Sequence, residues 1–278
     1  MLRESADPAA RPPVPAQAGH ARRRTVDLLH VEIHPDPVAA GRAAAAVIAD
    51  ELRAVLRDKE VARVVFAAAP SQDATLDALA AAPDLDWSRV VAFQMDEYRG
   101  VAPGDPASFA GYLRRRLFDR VRPGRILILD GTASAAQELA RYADLLLDAP
   151  LDIVCLGIGE NGHIAFNDPD VADFADPEVV KLVTLDDRSR RQQVSDGCFA
   201  SLAEVPREAF TLTVPTLLSA AVLVGSVPGA AKAEAVAATL DGPVRQAVPA
   251  TALRSHPRCT LFVDAAAAAG LTGAPPLG

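Results

Sequence analysis

The residues best placed to do chemistry stand in one short run, LGIGENGHIAFNDP at 156–169. Gly157, Gly159 and Gly162 follow an apolar stretch and permit a tight turn with close approach to the backbone. The turn delivers His163, with Asp168 five residues further on. An imidazole oriented by a carboxylate shuttles protons near neutral pH, so the run is a candidate acid–base centre. A structural glycine turn carrying a core or solvated histidine is the ordinary alternative.

Other runs could supply the rest of a site. In FQMDEY, Asp96 and Glu97 come directly after an apolar strand. The position just past a strand's carboxyl end faces the ligand crevice of an open α/β sheet, where a carboxylate can work as acid or base, although a helix cap would use the same residues. In AAAPSQDAT, Ser71 and Gln72 sit at a strand-to-helix turn whose unpaired amides suit a phosphate. That turn lacks the glycines of a Walker or dinucleotide fingerprint and reads equally as a capped helix start. Lys232 and Arg190 are cations that could neutralise a phosphate or simply face solvent.

Positioning these groups requires a sheet. TVDLLHVEI has strand composition and PDPVAAGRAAAAVIADELRAVLRDK reads as a long helix opening with proline and acid. ARVVFAAA, RVVAFQM, RILILD, LDIVCLGI and, near the end, CTLFVD are further strand-like runs separated by helical spacing, with a helix expected from about 229 to 240. Strands apolar on both faces and alternating with helices indicate one α/β domain, a single doubly wound, mostly parallel sheet with helices on both faces, Rossmann-like. Residues 25–267 are expected to form it, with a lid segment at about 169–200 that breaks the rhythm. A disordered N-terminal tail is expected at 1–24 and a C-terminal tail at 268–278.

The 278 residues, half of them hydrophobic, can bury a sizeable core, and a net charge of -8 argues against a nucleic-acid partner. Three widely spaced cysteines suggest neither a disulfide framework nor a metal cluster. His30 and His34 share a strand face without a third ligand, so no metal is expected. With neither a secretory signal nor a membrane span, a cytoplasmic protein is the expectation.

Taken in order, FQMDEYRG, DPASFAGYLRRRLFDRV, LGIGENGHIAFNDP, VPREAFTLTVPTLLSA, GAAKAEAV and ALRSHPRCTLFVD resemble the glucosamine-6-phosphate deaminase (isomerase) family over about 26–266. The related 6-phosphogluconolactonases share the fold but carry a GHTASLFP-like histidine motif. The resemblance implies a small-molecule sugar phosphate as substrate and no cofactor; family members form several assemblies, so homo-oligomerisation stays open. It implies that Asp96 moves a proton between C2 and C1 of the opened sugar and that His163 opens the ring, oriented by Asp168 where the family has glutamate. The family usually has aspartate where Asn161 stands, so Glu160 or Asp168 is expected to compensate. Ser71, beside Gln72, matches a threonine of the phosphate loop, Lys232 matches the phosphate lysine, and Arg190 is expected to replace a lid arginine whose place falls near Gly197. Glycines such as Gly159 are expected to let the sugar phosphate reach the backbone. The acidic stretch after Asp168 argues against activation by an acetylated amino-sugar phosphate. Lactone hydrolysis and noncatalytic sugar-phosphate sensing are the competing functions.

Overall fold

A computed structural model describes residues 21–272, so the expected tails lie largely outside the described residues. Arg22–Arg24, assigned to the N-terminal tail, instead open a strand. The run read as one strand is a hairpin, β1 (Arg22–Val26) antiparallel to β2 (Leu29–His34). Asp27 turns the chain at φ 51°, a left-handed position that aspartate tolerates better than most residues.

Helix α1 (Pro37–Asp58) starts where Asp36 accepts the Ala39 N–H at 2.8 Å and proline fills the first turn. β3 (Ala62–Phe66) follows, then a 3-10 turn at Pro70–Gln72 and α2 (Asp73–Ala80). β4 (Val90–Gln94) leads directly into β5 (Asp96–Tyr98). Helix α3 (Phe109–Leu113) continues through a π-helical turn at Arg114–Phe118 into α4 (Asp119–Val121). After these come β6 (Arg125–Leu127), α5 (Ala135–Leu147) and β7 (Ile153–Leu156). β8 (Val180–Thr184) and α6 (Asp187–Ser195) occupy the segment expected as a lid, and β9 (Glu208–Leu212) and α7 (Val214–Leu218) follow it. β10 (Val222–Val227), a 3-10 turn at Ala230–Lys232, α8 (Ala233–Asp241) and β11 (Cys259–Asp264) close the fold.

The main sheet runs β1-β2-β11-β10-β7-β3-β4-β6, parallel throughout except for the β1 edge. Its strands alternate between two cores. Val64 and Phe66 pack with Ile48 and Leu52 of α1 and Leu76 of α2 on one face, while Val65 packs with Tyr142 of α5 and Val236 of α8 on the other. The α/β architecture with helices on both faces is therefore as expected.

A second sheet, β5-β9-β8, is antiparallel and was not anticipated. Its strands are three to five residues long, too short to show which sheet they join; β5 and β8 come from the segments read as a strand end and a lid, while β9 lies beyond the lid. From β3 the chain steps outward to β4 and β6, then returns to β7, β10 and β11 on the other side. The turns after β3 and β7 therefore part at the switch point, where open α/β sheets form their crevice. Among the described residues no helix is long and apolar enough to cross a membrane.

Candidate active site

A small cleft opens at this switch point. The turns after β3, β4, β7 and β10 deliver Ser71, Asp96, His163 and Lys232 to it, so four sequence-distant runs converge. Gln72 and Gly159 also line it.

Asp96 lies on β5, paired with Thr211 of β9, and the Leu212 N–H donates to the Met95 carbonyl at 2.9 Å. Ladder bonds on both sides of Asp96 thus fix its backbone. The residue is 7% exposed, and its carboxylate has no hydrogen-bond or ion-pair partner among the described residues. Burial, and then the charge of Glu97, push this carboxyl well above the usual carboxylate range. A strand alternates its side chains, so Glu97 points the other way. It accepts N–H bonds from Phe109 at 3.1 Å and Ala110 at 3.0 Å, anchoring the start of α3 and with it Phe109, a wall of the cleft.

His163 stands on a turn whose local sequence is now accountable. Gly162 adopts φ 87°, a left-handed conformation glycine takes without penalty. A Cβ on Gly159 would come within 2.1 to 2.4 Å of three imidazole atoms, so the missing side chain there makes room for the histidine ring. That differs from the expected reason, close approach of a sugar phosphate. Beyond the histidine, Phe166 packs on Tyr98 and Phe109 with ring centroids 5.4 and 5.6 Å apart. Asn167 donates to the Ile164 and Leu212 carbonyls at 2.9 and 2.8 Å, tying the turn to β9. Asn167 and Phe166 thus fix the backbone that leads into Asp168.

Asp168 is 1% exposed and its Oδ1 lies 3.0 Å from His163 Nδ1. The distance is that of an ion pair, but the ring N–H is not aimed squarely enough at the oxygen to count as a hydrogen bond. Burial works to raise the Asp168 carboxyl, but His163, Asn161 and the Asp186 amide outweigh it and hold the group below the usual carboxylate range. Asn161 donates to Asp168 Oδ1 at 2.9 Å, and its own Oδ1 accepts the His163 backbone N–H at 3.0 Å. Glu160 is half-buried; its backbone N–H donates to Gln192 Oε1 at 2.9 Å, and its carboxylate acts on Lys232 through charge.

Lys232 is a buried residue whose ammonium, lining the cleft, has no hydrogen-bond or ion-pair partner among the described residues. Burial lowers its pKa, partly offset by Asp196 and Glu160. Its turn is set by Gly229 at φ 100°, whose N–H donates to Asp264 at 2.9 Å. Across the cleft, Ser71 Oγ accepts from Gln72 Nε2 at 3.2 Å, and the same nitrogen donates to the Ser226 carbonyl at 2.9 Å. Gln72 therefore braces the phosphate-type turn against β10 with its amide nitrogen.

Arg190 is not brought to the cleft. Its guanidinium donates to the Leu202 and Val205 carbonyls at 2.6 and 3.1 Å and to Asp187 at 3.1 Å, supporting the loop after α6. Nothing in the sequence announces those carbonyl partners. The residues of α6 that do line the cleft are Gln192 and Gln193, which a search for charged phosphate ligands passes over. Tyr98 Oη donates to Gln193 Oε1 at 2.6 Å, leaving the amide nitrogen of Gln193 without a protein acceptor among the described residues.

An unpartnered buried acid, an imidazole beside a second acid, and a free buried cation at the switch point of a parallel sheet define an acid–base site for a small anionic ligand. The chain belongs to the glucosamine-6-phosphate isomerases/6-phosphogluconolactonase family, whose profile matches residues 35–262. It is thus a sugar-phosphate enzyme of that family. It is 34% identical over 186 residues to a glucosamine-6-phosphate deaminase of Lactobacillus helveticus, covering 66% of this chain and 76% of the relative. A deaminase of Streptococcus pneumoniae serotype 4 is 34% identical over 185 residues, covering 66% and 77%. Among solved structures, a monomeric glucosamine-6-phosphate deaminase superposes with TM-score 0.79 at 30% identity, covering 86% of this chain and 99% of that one. A 6-phosphogluconolactonase from Thermotoga maritima shares the fold, with TM-score 0.69 at 19% identity over 87% of this chain and 100% of its own.

Proposed function

We propose that this protein is a glucosamine-6-phosphate deaminase, converting the amino-sugar phosphate and water to fructose 6-phosphate and ammonia. The observation that carries the reading is Asp96, a buried carboxylate with a raised pKa and no protein partner, in the same cleft as His163. Such a group is a stronger base than an ordinary carboxylate once it has lost its proton.

In this reading Lys232, Ser71 and the amides of the Pro70–Gln72 turn hold the phosphate. His163, backed by Asp168, passes a proton between the C1 hydroxyl and the ring oxygen and opens the pyranose. Asp96 takes the proton from C2 of the open aldehyde, a step made feasible by the neighbouring carbonyl, and returns it to C1. The enolamine thereby becomes a C2 imine, which water hydrolyses to the ketone and ammonia. Phe109 and Phe166 exclude solvent on one side of the cleft, and the amide nitrogen of Gln193 offers a donor to a sugar oxygen.

The identity of the relatives at 34% supports deamination over lactone hydrolysis, for which the structural neighbour at 19% speaks only to fold. The test is direct. Purified protein should release ammonia and fructose 6-phosphate from glucosamine 6-phosphate and leave 6-phosphogluconolactone at its spontaneous rate of hydrolysis. The opposite pattern would assign it to the lactonases.

A further inference from the structure

We propose that Asp186 is a positioning residue for the His163 relay and that the Asn161 amide is the joint through which it acts. The inference rests on the ring-opening role given above to His163. Asp186 does not line the cleft. It caps α6, its Oδ1 accepting the Ser189 N–H at 2.6 Å. Its Oδ2 accepts one N–H of the Asn161 side chain at 2.8 Å, and the other N–H of that amide goes to Asp168 Oδ1 at 2.9 Å.

One side-chain amide thus joins two carboxylates. Its orientation is fixed by chemistry, because turning it over would set its oxygen against both acids and its NH2 against the His163 N–H it now accepts. Asp168 is gripped on its other oxygen as well, where the Asp186 backbone N–H donates at 3.2 Å. Among the described residues, both groups that hydrogen-bond the Asp168 carboxylate therefore depend on Asp186, one through its side chain and one through its backbone. The same helix is pinned to the histidine turn by Gln192, which accepts the Glu160 N–H at 2.9 Å, and to β5 by Gln193 and Tyr98 at 2.6 Å. Seating α6, which brings Gln192 and Gln193 to the cleft, and aiming Asp168 at the imidazole are consequently one event.

The donor pattern makes a specific demand: with an acid at 186 and another at 168, position 161 must donate twice. A carboxylate there would face two others with no proton between them. An amide at 186 has one oxygen for two donors: with that oxygen on the Ser189 N–H, its NH2 confronts the NH2 of Asn161. Exchanging the pair restores a donor–acceptor match between the two positions.

The experiment is a double-mutant cycle with Asn161→Asp, Asp186→Asn and both together, assayed by ammonia release from glucosamine 6-phosphate. N161D is expected to lose about a hundredfold in kcat/KM and D186N about tenfold, as removal of hydrogen bonds to charged groups does. The double variant is expected to do no worse than N161D alone. Losses that multiply would overturn the joint. Asp186→Ser keeps a helix cap but lacks the Asn161 contact, and is expected to match D186N. A parallel assay with the 4,5-dideoxy substrate, which has no hydroxyl to close a five- or six-membered ring, separates positioning from folding. Its turnover should fall less than about threefold in D186N and D186S, since only ring opening needs the relay. Equal losses on both substrates, tracking a lower melting temperature, would reduce Asp186 to a structural cap. A wild-type protein that releases no ammonia would refute the proposed reaction, and the relay with it; an active wild type with an additive cycle would refute this inference alone.

Discussion

A buried carboxylate without a donor is a cost to folding, and at Asp96 that cost has a sign that can be measured. Its native pKa is raised by burial and by Glu97. Below the unfolded value of about 3.9 both states hold the proton and the group contributes nothing. As pH rises from there to the raised native value, the unfolded chain releases its proton first, so the native state loses stability progressively. Asp96→Asn removes this penalty while keeping the shape. It should melt a few degrees higher than wild type at pH 8, at about 2–4 °C per kcal/mol for a chain of this size. The advantage should vanish near pH 4, as calorimetry across that range would register. Turnover should fall about a thousandfold or more with KM little changed. Lys232 and Arg190 make a paired prediction. Lys232→Met should raise KM for the phosphorylated sugar about ten- to hundredfold, whereas Arg190→Gln should leave KM alone and destabilise the fold by about 2–3 kcal/mol through the carbonyls it abandons. Denaturant titration beside steady-state kinetics separates the two. Asp168 and Asp96 titrate in opposite senses: Asp168 has a depressed native pKa, so the stability it contributes is present above about 3.9 and disappears as pH falls through that lower value.

The elements explain why some of these residues could be read from sequence and others could not. Asp96, His163 and Lys232 sit at or shortly beyond strand ends, where the apolar run stops and polar residues begin, a boundary visible in a short window of sequence, and Asp168 follows five residues after the histidine. Ser71 is found the same way. Gln193, Asp186 and Asn167 work through partners 95, 25 and 45 residues away, at Tyr98, Asn161 and Leu212, contacts set by tertiary packing alone. The Arg190 expectation failed for that reason, since helix phase placed its guanidinium over the loop carbonyls of Leu202 and Val205. Conversely, the glycine turn was legible but its cause was not. Gly159 faces the imidazole, and Gly159→Ala would push a methyl to within 2.4 Å of it. That variant should slow ring opening about a hundredfold while the 4,5-dideoxy substrate, already open, loses less than about threefold. Equal losses on both substrates would show that the turn as a whole had collapsed.

At the scale of the molecule, the alternation of apolar strands and helices was enough to foretell a parallel sheet with cores on both faces, because parallel strands must be covered twice. The small antiparallel sheet was hidden because its strands are too short to show which partners they pair with, yet it is the platform that fixes Asp96 beside the switch point. The main and small sheets thus meet at the cleft, and a ligand there should stabilise both. Fructose 6-phosphate at a hundred times its Kd should stabilise the native state by about 2.7 kcal/mol, and K232M should abolish most of that shift at the same concentration in a thermal scan. The claim beneath all of this is that the Asp96 carboxylate moves hydrogen between C2 and C1. The most direct measurement is turnover of glucosamine 6-phosphate carrying deuterium at C2, by wild type and by D96N, with NMR of the fructose 6-phosphate formed. Wild type should show a primary isotope effect on kcat and hydrogen newly delivered to C1, and D96N should form no detectable product on that timescale. A D96N protein that deaminates within about tenfold of wild type would contradict the account, since an amide cannot accept the proton.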